Sequence, residues 1–376
     1  MRRYERIYKK EYQEEIKMEI TKKIKTRKVA YMTALKKMEV KEVPMPQGEL
    51  APNDVLVNIK RVGICASDMH MFDTGKVGIL EIKPPHVLGH EPSGVVVEVG
   101  SNVTSLKPGD RVFVDPQRPC GQCEHCMNGD YNLCDNMKCM SVEDEGAFAQ
   151  YSVRPANTVS KIPDGMSFET ASMLEPFSFA CAVVEKGGIV PGMSVAILGM
   201  GPIGMACMLA AKAYGATDIF VTDVVEGRLA KAVELGATKA IDVTKEDYTE
   251  VILRETNGRG VDIVIEASGF EGNYLTFHKA AVRGGSLVLV GIGPDDIVPI
   301  NLAYIRDMEM KMCGVFRFAN TTRRAIDMIR TGRVDISGLV SHVFPLSQIN
   351  EAFDLARSKA PGVIKVVVNM EDEEEK

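Results

Sequence analysis

The sequence lacks three features that would place it in other classes of protein. It has no run of the roughly 18 apolar residues that a membrane-spanning helix needs. It shows no apolar stretch typical of a secretory signal, so we expect a cytoplasmic protein. It has no excess of positive charge either: the net charge is −6, and we do not expect a nucleic-acid partner. With 376 residues, 45% of them hydrophobic, it is long enough for two globular domains.

Charge is distributed unevenly along the chain. Residues 1–31 carry eleven Lys or Arg and only five Asp or Glu, whereas residues 371–376 form an acidic tail. Apolar side chains at every fourth position of the basic segment would form a stripe that winds around a helix. Such a helix could bind an anionic surface or a partner, and the alternative is a frayed extension. We therefore treat residues 1–31 as a basic N-terminal extension, either helical or disordered.

Two patterns of secondary structure follow one another. Residues 33–115 contain strand-like runs broken by Gly, Pro and Asn, which predict a β-rich unit. From about residue 180, short apolar strands alternate with helical segments, a pattern typical of βαβ units and a doubly wound parallel sheet. The end of the chain is mixed again, so we predict a discontinuous domain that is interrupted by a second one. The first would comprise residues 32–178 and 318–370, and the second would comprise residues 179–317.

A glycine pattern lies where the second unit begins. Gly199, Gly201 and Gly204 fit G-x-G-x-x-G, between a predicted strand and a predicted helix. Gly199 would permit a tight turn, Gly201 the approach of a pyrophosphate, and Gly204 close packing of the helix on the sheet. The N-terminus of the helix would offer free N–H groups to the phosphates. The pattern therefore predicts a dinucleotide site.

Asp223 ends the next predicted strand and bears on the choice of dinucleotide. Its carboxylate could accept hydrogen bonds from ribose hydroxyls and repel a 2′-phosphate, which favours NAD over NADP. Alternatively, Asp223 and Glu226 could form a capping box for the following helix. Arg228 could stack near the adenine or lie on a solvated helix face.

Nine cysteines without a secretory signal favour metal binding in a reducing compartment over a disulfide framework. Four of them lie close together in the chain, and four thiolates can close a tetrahedral shell around Zn²⁺ with no position left for water. This arrangement predicts a structural zinc, while the neighbouring His125 and Cys139 are not expected to be ligands. The predicted ligands are Cys120, Cys123, Cys126 and Cys134.

A second set of possible metal ligands is scattered along the chain. It consists of Cys65, the adjacent pair His90 and Glu91, and Glu175. A thiolate, an imidazole and one or two carboxylates suit a catalytic zinc that keeps a position open for water or substrate. The alternative is that Cys65 and His90 are ordinary core residues and that each glutamate forms a salt bridge.

Together these motifs resemble the medium-chain zinc-dependent alcohol dehydrogenases, over residues 33–368. The run of residues 314–321 (Gly-Val-Phe-Arg-Phe-Ala-Asn-Thr) and the segment Leu174-Glu175-Pro176 are similar to those of sorbitol-type polyol dehydrogenases. The resemblance implies a GroES-like β-rich catalytic domain interrupted by a Rossmann domain. It also implies two zinc ions per chain, NAD as cofactor, and a homotetramer or homodimer.

The resemblance also implies roles for individual residues. Cys65, His90 and Glu91 would bind the catalytic zinc, Glu175 would bind it directly or through water, and Asp68 would orient His90. Ser67 and His70 match proton-relay positions, and Arg317 matches a contact with a substrate hydroxyl. The positions that match cofactor contacts are Ile203, Asp223, Arg228, Val290, Gly291, Ile292, Val315, Phe316 and Arg317.

The expected activity is hydride transfer from a secondary alcohol of sorbitol, xylitol or a similar polyol to NAD, giving a ketose. Two departures bear on the substrate. Met71 and Phe318 stand where polyol dehydrogenases commonly have tyrosines, which removes two hydroxyl partners for a sugar alcohol. The alternative substrates are L-threonine and 2,3-butanediol. The alternative from another class is a non-catalytic NAD-binding protein with a sensory or structural role.

Overall fold

The structure, a computed structural model, describes residues 25–46, 48–78, 80–293, 297–358 and 360–371. Most of the predicted basic extension and all but the first residue of the acidic tail lie outside the described residues. None of the helices in the described part of the chain is both long and apolar enough to cross a bilayer.

The described strands form two large sheets and three small ones. They are numbered here in chain order. The strands are β1 (Thr26–Ala34), β2 (Lys37–Pro44), β3 (Asp54–Gly63), β4 (Lys76–Val77), β5 (Leu80–Glu81), β6 (His86–Val87), β7 (Glu91–Val99), β8 (Arg111–Val114), β9 (Gln117–Arg118), β10 (Lys138–Cys139), β11 (Tyr151–Pro155), β12 (Val159–Lys161), β13 (Ser194–Leu198), β14 (Asp218–Asp223), β15 (Lys239–Asp242), β16 (Val261–Glu266), β17 (Ala281–Leu289), β18 (Lys311–Gly314), β19 (Val340–Pro345) and β20 (Lys365–Asn369).

The described helices are mostly short, and several connect consecutive parallel strands. Short 3₁₀ turns occur between them, for example at Tyr131–Leu133. The α-helices are α1 (Ala66–Thr74), α2 (Glu124–Met127), α3 (Phe168–Ser172), α4 (Leu174–Gly187), α5 (Pro202–Ala213), α6 (Glu226–Glu234), α7 (Tyr248–Glu255), α8 (Glu271–Tyr274), α9 (Leu302–Asp307), α10 (Thr322–Arg330) and α11 (Ile349–Arg357).

The first large sheet has the strand order β12-β8-β7-β3-β20-β19, and β11 also pairs with β3. Most of its strands are antiparallel, and only β19 and β20 pair in parallel. In β3, Val57, Ile59 and Val62 are fully buried, so this strand lies at the centre of the unit's hydrophobic core. Strands β19 and β20, from the far end of the chain, also belong to this sheet.

The second large sheet contains six parallel strands in the order β15-β14-β13-β16-β17-β18. All five residues of β13 are buried, because helices cover both faces of a doubly wound sheet. The order reverses on either side of β13, so the crevice at its carboxyl end is the expected ligand position.

One of the buried hydrophobic clusters joins the two sheets. Helix α4 packs against α5 and α10, and its Phe177 joins Phe113 of the first sheet and Ile197 of the second in a single buried cluster. The predicted boundary between residues 178 and 179 therefore falls inside α4.

The predicted boundary between residues 31 and 32 also falls inside an element, strand β1. Val29 and Ala30 are fully buried, and β1 pairs with both β2 and β6. Residues before the predicted boundary thus already belong to the hydrophobic core, because Val29 and Ala30 are buried with Met32.

Candidate active site and metal sites

The register between β3 and β7 brings the scattered metal ligands together. Gly63, the last residue of β3, pairs with Glu91, the first residue of β7. Cys65 follows as the N-cap residue of α1, and His90 immediately precedes Glu91. The donor atoms of Cys65, His90 and Glu91 consequently lie within 4.8 Å of one another. A thiolate, an imidazole and a carboxylate at this spacing fit a Zn²⁺ ion.

A buried aspartate orients two of these ligands. Asp68 is fully buried, its Oδ1 lies 3.2 Å from Nδ1 of His90, and its Oδ2 accepts a hydrogen bond from the backbone N–H of Cys65 at 3.1 Å. Although burial opposes it, the positive charge of His90 and these hydrogen bonds keep the pKa of Asp68 below its usual value. Because Nδ1 of His90 faces Asp68, Nε2 is left for a metal.

Glu91 has a second partner that was not anticipated. Lys365 of β20 places its Nζ 2.5 Å from each carboxylate oxygen of Glu91, and the exposed fractions of the two side chains are 2% and 0%. Gly63 makes this pairing possible: a Cβ there would lie 2.0 Å from Oε2 of Glu91. The carboxylate of Glu91 is therefore shared between the metal-ligand cluster and a buried lysine.

Glu175 lies in the first turn of α4, half-buried, and does not join the group of three donor atoms. Burial raises the pKa of Glu175 to about 8, an effect that Glu91 strengthens and that His90 and Lys365 oppose. Glu175 is therefore within electrostatic reach of the cluster. Among the described residues, Glu91 is the carboxylate that the structure places in the donor group.

The predicted relay residues lie together on one helix, and Arg317 follows a strand of the parallel sheet. Ser67 and His70 lie three positions apart on α1, half-buried and exposed respectively, and residues at this spacing are neighbours on a helix surface. Arg317 follows β18, and its guanidinium lies 4.7 Å from the ring centroid of Phe316. Burial raises the pKa of the Cys139 thiol to about 11 against the positive charges of Arg317 and His90, so Cys139 lies near both groups.

Met71 and Phe318, the two positions at which the resemblance led us to expect tyrosines, are buried. Met71 is 3% exposed and Phe318 is 1% exposed. The sulfur of Met71 lies 3.9 Å from Oγ of Ser141. Neither side chain adds a polar group for a substrate.

The four clustered cysteines form a closed set of sulfur ligands. Their sulfur atoms lie within 4.8 Å of one another, and Cys120 and Cys126 are 4.0 Å apart. Backbone N–H groups of Gln122 and Cys123 lower the pKa of Cys120 to about 6, whereas desolvation and the neighbouring thiols raise that of Cys126 to about 12. A bound cation would relieve this crowding of thiolates, and four sulfurs fit Zn²⁺ without an open position. His125 and Cys139 do not join the set.

The glycine loop has the geometry that the sequence predicts. Gly199 adopts φ 95°, which disfavours any residue with a Cβ. A Cβ at Gly204 would lie 1.8 Å from the carbonyl oxygen of Gly199, whereas a Cβ at Gly201 would meet no atom within 4 Å. The space beside Gly201 is therefore open to a ligand, and Gly201 is the N-cap residue of α5.

Asp223 is fixed by backbone N–H groups at the end of β14. Oδ2 accepts from Met200 at 2.7 Å, and Oδ1 accepts from Val224 and Val225 at 2.8 Å each. Helix α6 has Val225 as its N-cap, so the capping box of Asp223 with Glu226 does not form. Arg228 lies 3.9 Å from Asp223, close enough to pair with it. The carboxylate is thus held beside the glycine loop.

The remaining predicted cofactor positions lie at the carboxyl ends of strands in the parallel sheet. Val290 and Gly291 follow β17, Val315 follows β18, and Ile203 is in the first turn of α5. Ile292 and Phe316 are 55% and 57% exposed. This edge is where ligands bind in open parallel sheets.

Sequence reasoning missed three residues near the metal-ligand cluster. Lys365 had a signal, since it is the single charge in an apolar run, residues 363–368. Asp115 and Gln117 had none. Burial raises the pKa of Asp115 to about 7, and its Oδ1 accepts hydrogen bonds from both nitrogens of Gln117.

Comparisons with known proteins add two family matches. Residues 51–164 match the alcohol dehydrogenase GroES-like domain, and residues 202–331 match the zinc-binding dehydrogenase family. The chain is 37% identical over 342 residues to sorbitol dehydrogenase of Bacillus subtilis, across 91% of this chain and 96% of that protein. It is 37% identical over 349 residues to L-idonate 5-dehydrogenase of Vitis vinifera, across 91% and 94%. A solved oxidoreductase of unknown specificity from Escherichia coli is similar with a TM-score of 0.87 and 34% identity, over 92% of this chain and 100% of that one.

Proposed function

The chain belongs to the medium-chain zinc-dependent alcohol dehydrogenases and is a polyol dehydrogenase of that family. On this basis we propose a role in the reaction for each residue of the site. The predicted fold class, a GroES-like catalytic domain interrupted by a Rossmann domain, is confirmed, as are zinc and NAD as cofactors. The proposed reaction oxidises a secondary hydroxyl of a sugar alcohol such as sorbitol or xylitol to a ketone.

The observation that carries the proposal is the convergence of Cys65, His90 and Glu91 within 4.8 Å, with Asp68 behind His90. These side chains would hold the catalytic zinc, with Glu175 as a further or alternating carboxylate. When bound, the zinc supplies Lewis acidity that lowers the pKa of the substrate hydroxyl. Asp68 keeps the imidazole of His90 turned toward the metal.

Ser67 and His70 are proposed to remove the hydroxyl proton. Ser67 is half-buried beside Cys65 and His70 is exposed, so a proton passed from the first to the second reaches solvent. Arg317 is proposed to donate a hydrogen bond to a second substrate hydroxyl, and residues after β17 and β18 to hold the nicotinamide half of NAD. The four-cysteine set would hold a structural zinc.

Relatives named for a neutral polyol support a neutral substrate over an acidic one. Sorbitol dehydrogenase of Homo sapiens is 39% identical to this chain over 321 residues, and that of Bacillus subtilis is 37% identical over 342 residues. We therefore rank neutral polyols above sugar acids.

A substrate screen with a metal assay tests the proposal. Sorbitol, xylitol, L-idonate, L-threonine and 2,3-butanediol would be offered with NAD while NADH absorbance is followed, and zinc would be counted per chain. We expect two zinc ions and a kcat/KM at least about tenfold higher for a neutral polyol than for the others. Preference for threonine or butanediol would overturn the substrate assignment. One zinc per chain with no NADH from any substrate would support a non-catalytic NAD-binding protein.

We further propose a homo-oligomer, a dimer or a tetramer. Strand β18 ends the parallel sheet and pairs with β17 alone among the described strands. Large apolar side chains lie exposed in the same domain, for example Phe270 at 65% and Leu302 at 67%. An unprotected sheet edge with apolar surroundings favours association. Light scattering on the purified chain would test this, and a monomer would contradict it.

We also propose a reducing, cytoplasmic location and the domain division described above. All nine cysteines are free thiols, and four of them are needed as thiolates in one metal set. The first domain would now start at or before Thr26, and α4 would be shared between the two domains.

A further inference from the structure

The four-cysteine lobe, residues 120–134, lies against the segment that carries Arg317. We name residues 316–320 the Arg317 turn. Three hydrogen bonds join the lobe to this turn, and all three come from the part of the lobe between the third and fourth cysteines. The side-chain amide of Asn132 donates to the carbonyl oxygen of Phe316 at 2.9 Å, the backbone N–H of Asn320 donates to the hydroxyl of Tyr131 at 2.8 Å, and the side-chain amide of Asn320 donates to the carbonyl oxygen of Gly129 at 2.9 Å.

The Arg317 turn has an unfavourable backbone conformation. Arg317 adopts φ 55° and Asn320 adopts φ 62°, in the left-handed region that side chains with a Cβ disfavour. Asparagine tolerates this region better than arginine does. Two such residues within one short turn persist only where surrounding contacts hold them.

Contacts on the buried side of the Arg317 turn also stabilise its conformation. Phe318, between the two left-handed residues, is 1% exposed, and its carbonyl oxygen accepts a hydrogen bond from the side-chain amide of Gln117 at 3.0 Å. Thr321, directly after the turn, donates to the carbonyl oxygen of Ser178 at 2.8 Å. Every bond from the lobe, however, comes from residues 129–132.

Metal binding by the lobe explains how so short a loop can keep the Arg317 turn in place. Gly129, Tyr131 and Asn132 lie between Cys126 and Cys134, whose sulfur atoms belong to the same closed set. Closing that set around a metal fixes both ends of the loop, so its hydrogen-bonding groups keep their positions. Without that closure the loop would be free to move away from the turn.

We propose that the four-cysteine lobe is a clamp that holds the Arg317 turn in its left-handed conformation and so positions the guanidinium of Arg317 for the substrate. The proposal rests on the substrate contact proposed above for Arg317. Tyr131 and Asn132 are positioning residues: they touch the turn and not the reacting atoms. The structural metal would thereby help to position a substrate-binding residue in the active site of its own chain.

Hydrogen exchange of the full metal-loaded chain tests the clamp without reference to any substrate. In the double variant Tyr131→Phe/Asn132→Ala, amides of residues 316–321 should exchange more than about tenfold faster, since each neutral hydrogen bond lost changes an opening equilibrium about fivefold. Asn136, an exposed residue two positions after the lobe, makes none of the three bonds, so Asn136→Ala is the matched control and should leave exchange unchanged. Unchanged exchange in the double variant would overturn the clamp.

Steady-state kinetics then test positioning against a merely structural role. The double variant should raise the KM for the polyol about fivefold or more while kcat changes less than about twofold. In an Arg317→Ala background the same double change should leave KM unaltered, because the group being positioned is already gone. Equal effects in both backgrounds would overturn the positioning role.

The two readouts separate failure of the clamp from failure of the proposed function. Faster exchange with an unaltered KM in the parent would support the clamp and count against the substrate role of Arg317. A third variant, Cys134→Ser, opens the metal set and should accelerate exchange in the Arg317 turn as well as in the lobe. Acceleration confined to the lobe would overturn the link between metal closure and the turn.

Discussion

The two metal-ligand sets of this chain differ in how the fold assembles them. The closed set comes from one short loop, Cys120–Cys134, whose four thiols need only local turns to meet. The open set needs the β3–β7 register to join Cys65 to His90 and Glu91, and helix α4 to bring Glu175 near. The comparison teaches that spacing in sequence specifies a structural site, whereas strand register and buried partners specify a catalytic one.

The largest expected effect is a loss of turnover when a ligand of the open set is removed. Cys65→Ser removes a ligand of the open set, so turnover should fall by roughly 10⁴-fold or more, since the metal's contribution to the reaction is lost. Zinc should fall from two ions to one per chain, and the dissociation constant for NADH should change less than about twofold. Kinetics, metal analysis and NADH fluorescence would measure these. Undiminished turnover with no metal in the open set would refute the proposed chemistry.

The next largest expected effect is a loss of stability when a ligand of the closed set is removed. Cys126→Ala breaks the closed set, and losing a structural metal should lower the free energy of unfolding by about 4–5 kcal/mol. Denaturant unfolding with and without a chelator would measure it. Cys313→Ala, a half-buried thiol outside both sets, is the control and should cost less than about 2 kcal/mol. Equal losses in the two variants would mean that the lobe needs no metal.

A third prediction concerns the buried partner that only the open set has. Lys365→Met leaves the carboxylate of Glu91 unpaired at 0% exposure, which should cost about 3–5 kcal/mol in the metal-free protein. The cost should be smaller in the zinc-loaded protein, because the metal then offsets the charge. Urea unfolding of both forms would measure the difference.

Lys60→Met is the matched control for this prediction. Lys60 pairs with Glu371 at 2.8 Å, but the two side chains are 22% and 40% exposed, so the loss should stay below about 1 kcal/mol. A loss for Lys365→Met that is no larger than this would show that Glu91 does not depend on its lysine.

The difference between the contiguous closed set and the scattered open set also determines how much could be predicted from the sequence. The glycine loop and the four-cysteine set could be placed from the sequence because each is contiguous. The open set required a family resemblance, since nothing local joins Cys65 to His90. The pairing of Lys365 with Glu91 depends on a register between distant strands, so no local pattern could reveal it.

A smaller effect tests another contiguous element, the glycine loop. Gly201→Ala adds a Cβ that meets no atom within 4 Å, so the free protein should keep its stability. That Cβ would stand where the pyrophosphate approaches, and the dissociation constant for NADH should rise about tenfold. NADH fluorescence titration and thermal unfolding would measure the two quantities.

Gly204→Ala is the contrasting control in the same loop. Its Cβ would lie 1.8 Å from the carbonyl oxygen of Gly199, so it should destabilise the fold whether or not NADH is present. Unaltered NADH binding in Gly201→Ala would mean that the cofactor phosphates do not pass this residue.

The smallest expected effect is a pH dependence that arises from the buried surroundings of the open set. Burial raises the pKa of Asp115 from its ordinary value of 3.8 to about 7, so between these values the unfolded chain is ionised while the folded chain keeps its proton. The unfolded state then binds fewer protons, and stability falls as pH rises from about 4 to about 7. Relative to Asp115→Asn, the metal-free protein should lose about 1 kcal/mol for each pH unit inside that window. Asp242, whose neighbours lower its pKa to about 2, is the control: in Asp242→Asn the difference from the parent should stay constant over the same window. If the Asp115→Asn difference were equally flat, burial would not hold Asp115 protonated, and Asp115 would carry a negative charge near the open set at neutral pH.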